Sequence, residues 1–176
     1  ELGKHYHWRG STLPGGSPGS ANPAPRGVVI NEVLAHTDAP ALDTIELFNP
    51  TSDAIEISGW YLSDSSADLF KFAIPAGTVI PAGGFLTFDE SDFNPTPLTP
   101  GPKDFALSGS HGDSIWLVEG NANGDTVVAF SDQVEIGPTF NGVTLGRKPG
   151  GIGRLVPLAQ PSLGSPNAEH ATADVV

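Results

Sequence analysis

Between Val28 and Asp64 the chain reads VVINEVLAHTDAPALDTIELFNPTSDAIEISGWYLSD. Three short apolar runs, VVINEVL, TIELF and AIEIS, are each closed by Asn, Asp, Pro or Gly. Runs this short, rich in β-branched and aromatic residues and bounded by turn formers, read as strands. No window repeats apolar residues at i, i+3, i+4 and i+7 over three turns, so an amphipathic helix has no support. The third run carries Ile55 and Ile57 into a Ser58-Gly59 corner, beyond which Trp60, Tyr61 and Leu62 extend the same strand.

The same grammar continues downstream. Val28–Leu34 is the first strand, interrupted by Asn31 and Glu32, and Thr44–Phe48 is the second. Asn49-Pro50-Thr51 ends the second strand, because proline cannot continue a ladder. Leu69–Ile74 alternates apolar and other positions as a half-buried strand does, and Phe85–Phe88 follows. Asp113–Glu119 and Thr126–Phe130 form a hairpin around Gly120–Asp125, where Asn123-Gly124 is a strong turn signal. Gln133–Ile136 and a final strand at Val143–Arg147 complete the set. Glu90–Asp104 contains four prolines and reads as a long surface loop anchored by Phe105-Ala106-Leu107. About eight to ten short strands without a helix give an all-β, antiparallel sandwich.

Composition agrees. In 176 residues, 9 Phe and 3 Trp suffice for one core, while 22 Gly and 17 Pro favour frequent turns. No run approaches the ~18 apolar residues of a membrane helix. Only 8 Lys and Arg face 20 Asp and Glu, a net charge of −12. Binding nucleic acid requires a basic stripe that releases counterions, and anionic lipid makes the same demand, so neither is an expected partner. The absence of cysteine does not fix the compartment. The absence of methionine, even at position 1, suggests a processed chain or one segment of a longer polypeptide.

Three regions follow. Residues 1–26 are an extended tail and linker, 27–151 the sandwich, and 152–176 a C-terminal tail. In the first, Lys4-His5-Tyr6-His7-Trp8-Arg9 alternates, with Tyr6 and Trp8 on one side and His5 and His7 on the other. A Gly, Ser and Pro linker follows. Tyr6, His7, Trp8 and Arg9 are the expected assembly segment. They add as a strand to their own domain or, as the linker's reach favours, to a neighbouring copy. Gly16-Ser17-Pro18-Gly19 is echoed by Gly164-Ser165-Pro166-Asn167. Either the first ~20 residues close a preceding domain, or two Gly-Pro-rich segments coincide by chance.

Seven pieces in fixed order carry a family resemblance: INEV (Ile30–Val33), D-x-IELFN (Asp43–Asn49), I-x-ISGWYLSD (Ile57–Asp64), IPAGTVIPAGGFL (Ile74–Leu86), FALS (Phe105–Ser108), GDSIWL (Gly112–Leu117) and LGRKPGG (Leu145–Gly151). Over residues 27–151 the chain resembles the lamin tail domain, especially the bacterial members found in secreted and surface proteins. The resemblance implies an immunoglobulin-like sandwich and a non-catalytic module for attachment or interaction, outside the cell or on its surface. The coiled-coil rod and prenylated C-terminal cysteine of nuclear lamins have no counterpart here, so a nuclear role is not implied.

Glu32 and Glu46 interrupt apolar strands, and a buried carboxylate needs a partner. Arg147, in the GRKPGG piece, is expected to pair with one of them and tie the last strand to the first sheet. Calcium needs six to eight oxygens. Asp64 with Asp68, the cluster Asp89, Glu90 and Asp92, and the series Asn121, Asn123 and Asp125 are candidate ligand loops, each weighed against a solvated turn. His5, His7, His36, His111 and His170 are scattered, and two histidines alone do not make a zinc site. No G-x-S-x-G elbow and no phosphate loop occurs. Tyr61 and Trp116 are candidates for a sugar platform, weighed against core packing. Lys4 or Lys71 beside an Asn and a Glu is a candidate for an isopeptide crosslink. The expected function is a non-enzymatic extracellular module that assembles with copies of itself or with neighbouring domains, without a cofactor. The alternative is a carbohydrate- or calcium-binding accessory domain.

Overall fold

A computed structural model of the chain describes residues 11–20 and 26–171. Among these, eleven strands and one helical turn follow in order. They are β1 (Val29–Leu34), β2 (Thr44–Phe48), β3 (Ile55–Glu56), β4 (Trp60–Ser63), β5 (Phe72–Ala73), β6 (Val79–Ile80), β7 (Phe85–Asp89), α1 (Glu90–Phe93), β8 (Asp113–Gly120), β9 (Val127–Ile136), β10 (Leu145–Lys148) and β11 (Arg154–Pro157). One sheet has the order β11-β10-β1-β2-β7, a second β5-β4-β8-β9, and β3 pairs with β6. Every strand pairing is antiparallel.

The two larger sheets face each other as an immunoglobulin-like sandwich. Ile30, Val33, Ile45 and Leu47 come from one sheet and Leu62, Ile115, Leu117 and Val134 from the other, all in a single core cluster. The alternation expected of half-buried strands is what fills it: in β2, Ile45 and Leu47 point inward and Glu46 points to the outer face. In β1 the register skips between Ile30 and Glu32, so Asn31 is the extra residue of a bulge. This explains why a polar pair interrupts an apolar run without breaking the strand.

Several expectations needed correction. The third strand is not continuous through the Gly59 corner. Gly59 takes φ +72, Trp60 N donates to Ile57 O at 3.1 Å, and the chain changes sheet there, leaving β3 and β4 in different ladders. The strand expected over Leu69–Ile74 pairs only at Phe72–Ala73. Thr126–Phe130 and Gln133–Ile136 join into β9, with a register shift in place of a break. The Glu90–Asp104 loop opens with a helical turn, because Asp89 and Asp92 cap it reciprocally: Asp89 Oδ1 accepts from Ser91 N and Asp92 Oδ2 accepts from Asp89 N.

The largest correction concerns the C-terminus, where residues 152–176 were expected as a tail. Arg154–Pro157 instead forms β11, in register with all four residues of β10. Leu158 is 1% exposed and Ala171 4%, and Leu158 bridges to His170. Residues 158–171 fold back as a strap across the outer face of the five-stranded sheet. Their Gly-, Pro- and Ser-rich composition is that of a linker, yet small polar residues are what this face needs.

Candidate functional site

The strap covers a cluster of buried polar side chains. Glu32 and Glu46 are register partners in β1 and β2, and both are 0% exposed. Ser162 donates to both Glu32 oxygens, from its backbone N to Oε1 at 2.9 Å and from its hydroxyl to Oε2. Gly164 N donates to Glu46 Oε2, and Asn31 Nδ2 donates to Glu46 Oε1 at 2.8 Å. The strap makes a turn here, with Ser165 N donating to Ser162 O at 3.0 Å and Gly164 at φ +82, a conformation suited to glycine. Asn167 completes the network. Its Oδ1 accepts from Asn31 Nδ2 at 2.6 Å, and its Nδ2 donates to Asn31 O and to Arg147 O. Gly151 N in turn donates to Asn31 Oδ1 at 3.0 Å.

Burial is the main influence on Glu46 and pushes its carboxyl up to about 7. The bonds from Asn31 and Gly164 act in the opposite direction, while the negative charge of Glu32 adds to the rise. Two like charges set opposite one another in a ladder repel.

Arg147 does not pair with Glu32 or Glu46, as had been expected. Its guanidinium turns toward β9, where Nη2 donates to Asp132 Oδ2 at 2.8 Å. Nε donates to Ile30 O and Nη1 to Gly153 O, each at 2.7 Å. Ile30 N also donates to Asp132 Oδ2 at 2.8 Å, so Asp132 joins β9 to the opposite sheet. Burial raises the Asp132 carboxyl despite the arginine beside it. The expected tie between last and first strands exists, but its acid is Asp132 and its β1 contact is a carbonyl. The reason lies in placement: the outer-face carboxylates are already met by strap donors, whereas Asp132 is turned inward at the β9 bulge.

The candidate cation loops are occupied by protein groups. Lys71 Nζ lies 2.6 Å from Asp64 Oδ1. Lys103 Nζ meets both oxygens of Asp68, at 2.8 and 2.7 Å, and its hydrogen bond holds that carboxyl below the usual range. Asn121 Nδ2 donates to Asp125 Oδ1 at 2.8 Å, and Asn121 Oδ1 accepts from the backbone N of Asp125 and of Thr126. Asn121 and Asp125 thus close the β8–β9 loop on each other. Gly124 takes φ +68 while Asn123 does not adopt a positive φ, so the loop is not a tight two-residue turn. Among the described residues, no group of three or more His, Asp or Glu is arranged to hold a metal ion.

Tyr61 packs edge-on against Phe70 at 4.9 Å on the outer face of the four-stranded sheet. Trp116 is half-buried and lines a groove of about 490 Å³ with Ser11, Thr12, Phe130, Ser131, Asp132 and Gln133. The groove follows β9, which is an edge strand. There Phe130 N donates to Thr12 O at 2.8 Å, so the end of the linker sits against the open edge of the sheet. His36 Nδ1 contacts Thr139 O at 2.6 Å and His111 Nδ1 contacts Ser110 Oγ at 2.9 Å,. Lys4, His5, Tyr6, His7, Trp8 and Arg9 lie outside the described residues.

Sequence reasoning singled out Glu32, Glu46 and Arg147 but missed Asp132, Ser162, Gly164 and Asn167. The signal for a partner was the polar pair inside β1. The partners' identity had none, because Ser162, Gly164 and Asn167 sit in a stretch composed like a linker.

A family model described as Lamin Tail Domain matches residues 21–135, about two thirds of the chain. The match ends within β9, so β10, β11 and the strap lie beyond it. No curated protein and no solved structure matches the chain. With the sandwich, its strand order and this match together, the chain belongs to the lamin tail domain family of non-enzymatic, immunoglobulin-like domains.

Proposed function

We propose that this domain is an attachment module displayed outside the cell, which joins neighbouring copies of itself by strand addition at the β9 edge. The observation that carries this reading is the hydrogen bond from Phe130 N to Thr12 O on an edge strand. An edge strand offers a row of unpaired backbone groups, and the residues just before Thr12 are an alternating aromatic and basic segment. Tyr6, His7, Trp8 and Arg9 are the segment assigned to this role, bringing positive charge to a body with a net charge of −12. Sedimentation velocity over a wide concentration range tests it, comparing the full chain with a variant lacking residues 1–10. Association that rises with concentration and disappears in the truncated chain is the expected result. A full chain that stays monomeric throughout overturns the reading.

A second reading is supported by the composition of the same groove. Trp116 and Phe130 supply an aromatic wall and Ser131 and Gln133 supply hydrogen-bonding groups, the mixture that binds sugars. Under this reading the domain is a carbohydrate-binding accessory to a larger secreted protein. Oligosaccharide titrations followed by tryptophan fluorescence, with Trp116→Ala as control, test it. A signal that is unchanged in Trp116→Ala rejects it.

A further inference from the structure

The strap is attached unevenly. Leu158 and Ala171 anchor its two ends in apolar surroundings. Between them, Ser162 and Gly164 are held by bonds to Glu32 and Glu46, and Ala168 N donates to Ser162 Oγ at 3.0 Å. Ala159, Gln160, Pro161, Gly164, Ser165 and Pro166 are exposed. The middle of the strap therefore rests on two opposed acidic side chains, and on Asn31, with little apolar surface beneath it.

The charges around this pair do not neutralise it. Arg147 of β10 is turned to Asp132, and Lys148 reaches Asn167 O and Glu169 on the strap. From β7 the register partner of Glu46 is the uncharged Thr87. On the strap itself, Glu169 and His170 are exposed. A second negative charge on the Glu32–Glu46 pair is thus opposed by dipoles alone while the strap is shut. Lifting the strap gives both carboxylates access to water.

We propose that residues 159–168 are a proton-controlled strap, closed over Glu32 and Glu46 while the pair holds a proton and released when both carboxylates are charged. The direction follows from linkage. Glu46 is raised to about 7 with the strap closed, and solvation in the open form returns it toward its ordinary 4.5. The closed form binds the proton more tightly, so acid favours closure and rising pH favours opening. Opening bares Asn31 and two carboxylates on the outer face of the sheet.

Native-state hydrogen exchange on the full chain tests the proposal, with rates corrected for the intrinsic effect of pH. The amides of Ser162, Gly164 and Ala168 report on the strap, and those of Ile45 and Leu117 on the core. Strap protection is expected to lie below core protection and to fall on the order of a hundredfold between about pH 5 and pH 8.5. In Glu46→Gln the fall should vanish. In Glu32→Gln, which keeps the titrating group but removes its charged neighbour, the midpoint should move to lower pH. Strap amides as protected as the core at every pH, or a pH dependence that persists in Glu46→Gln, overturns the proposal. If Glu46→Gln does not fold, an unmoved midpoint in Glu32→Gln overturns it instead.

Discussion

Asp132 and Arg147 form a half-buried ion pair that crosses the sandwich, with Nη2 2.8 Å from Oδ2 and the two side chains 15% and 14% exposed. The pair links β9 of one sheet to β10 of the other, and it engages β1 through the backbone of Ile30 at both its N–H and its carbonyl. Four strands' worth of the fold is thus coordinated by one acid and one base. The geometry suits arginine alone, since Nε, Nη1 and Nη2 each meet a different acceptor.

Arg147→Ala should be among the more damaging single changes. It leaves a carboxylate and two carbonyls without their donor, and breaking a buried pair from one side costs about 3–5 kcal/mol. Arg147→Lys keeps the charge but lacks the three-pronged donor set, so it should recover only part of the loss. Urea denaturation at constant m-value measures both. A loss in Arg147→Ala under about 1 kcal/mol, the scale of an exposed pair, would mean that the tie does not hold the sheets together.

Gly146 should resist even alanine. It faces Glu32 in the ladder, and the strap lies flat across it. A Cβ there would stand 2.6 Å from Leu158 Cδ1, 2.9 Å from Asn167 Nδ2 and 3.1 Å from Leu158 Cγ. Overpacking of this kind costs about 1–3 kcal/mol. Leu158→Ala alone creates a cavity, but combined with Gly146→Ala it removes the clash, so the double variant should be more stable than the sum of the singles implies. Gly137→Ala, where an added Cβ meets nothing within 4 Å, serves as the control and should be neutral. Additive losses in the cycle would place the strap elsewhere.

The sandwich was legible in the chain because apolar alternation and turn residues act locally. β2 begins and ends at the residues that the pattern indicates, and the core of Ile45, Leu47, Leu62, Ile115 and Leu117 follows directly from it. Sheet membership was less legible. Gly59 looks like a corner in a continuous strand, yet its positive φ moves the chain to the other sheet. Asn49 reads as a strand terminator, but it is fully buried, and its Nδ2 donates to the carbonyls of Asp53, Ile80 and Pro81. The strap was misread for a related reason. Composition marks segments that bury apolar surface, and residues 159–168 contribute mainly backbone donors and short polar side chains. Glu32 and Glu46 announce that donors must come from somewhere. Only three-dimensional proximity reveals that a segment about 120 residues away supplies them.

Stability should fall as pH rises through neutrality, and Glu46 should account for much of the slope. Its carboxyl stands at about 7 in the folded chain against 4.5 in the unfolded one, so the folded state holds the proton more tightly. The stabilisation this confers is complete below about pH 4.5 and is lost as pH climbs through about 7, amounting to on the order of 3 kcal/mol. Asp43, Asp113 and Asp132 are raised by burial and slope in the same sense, while Asp68, lowered by Lys103, slopes the other way. Subtracting the curve of Glu46→Gln from that of the wild type isolates the one group, because a constant offset from the substitution leaves the slope untouched. Urea denaturation at pH 5, 6, 7 and 8 should give a difference that declines with pH and flattens near 8. A difference that is level across that range would mean that Glu46 titrates as it does in the unfolded chain, and the buried pair would not be the source of the domain's response to pH. If the difference declines but strap amides exchange only with the core, the linkage to global unfolding stands and independent opening of the strap does not.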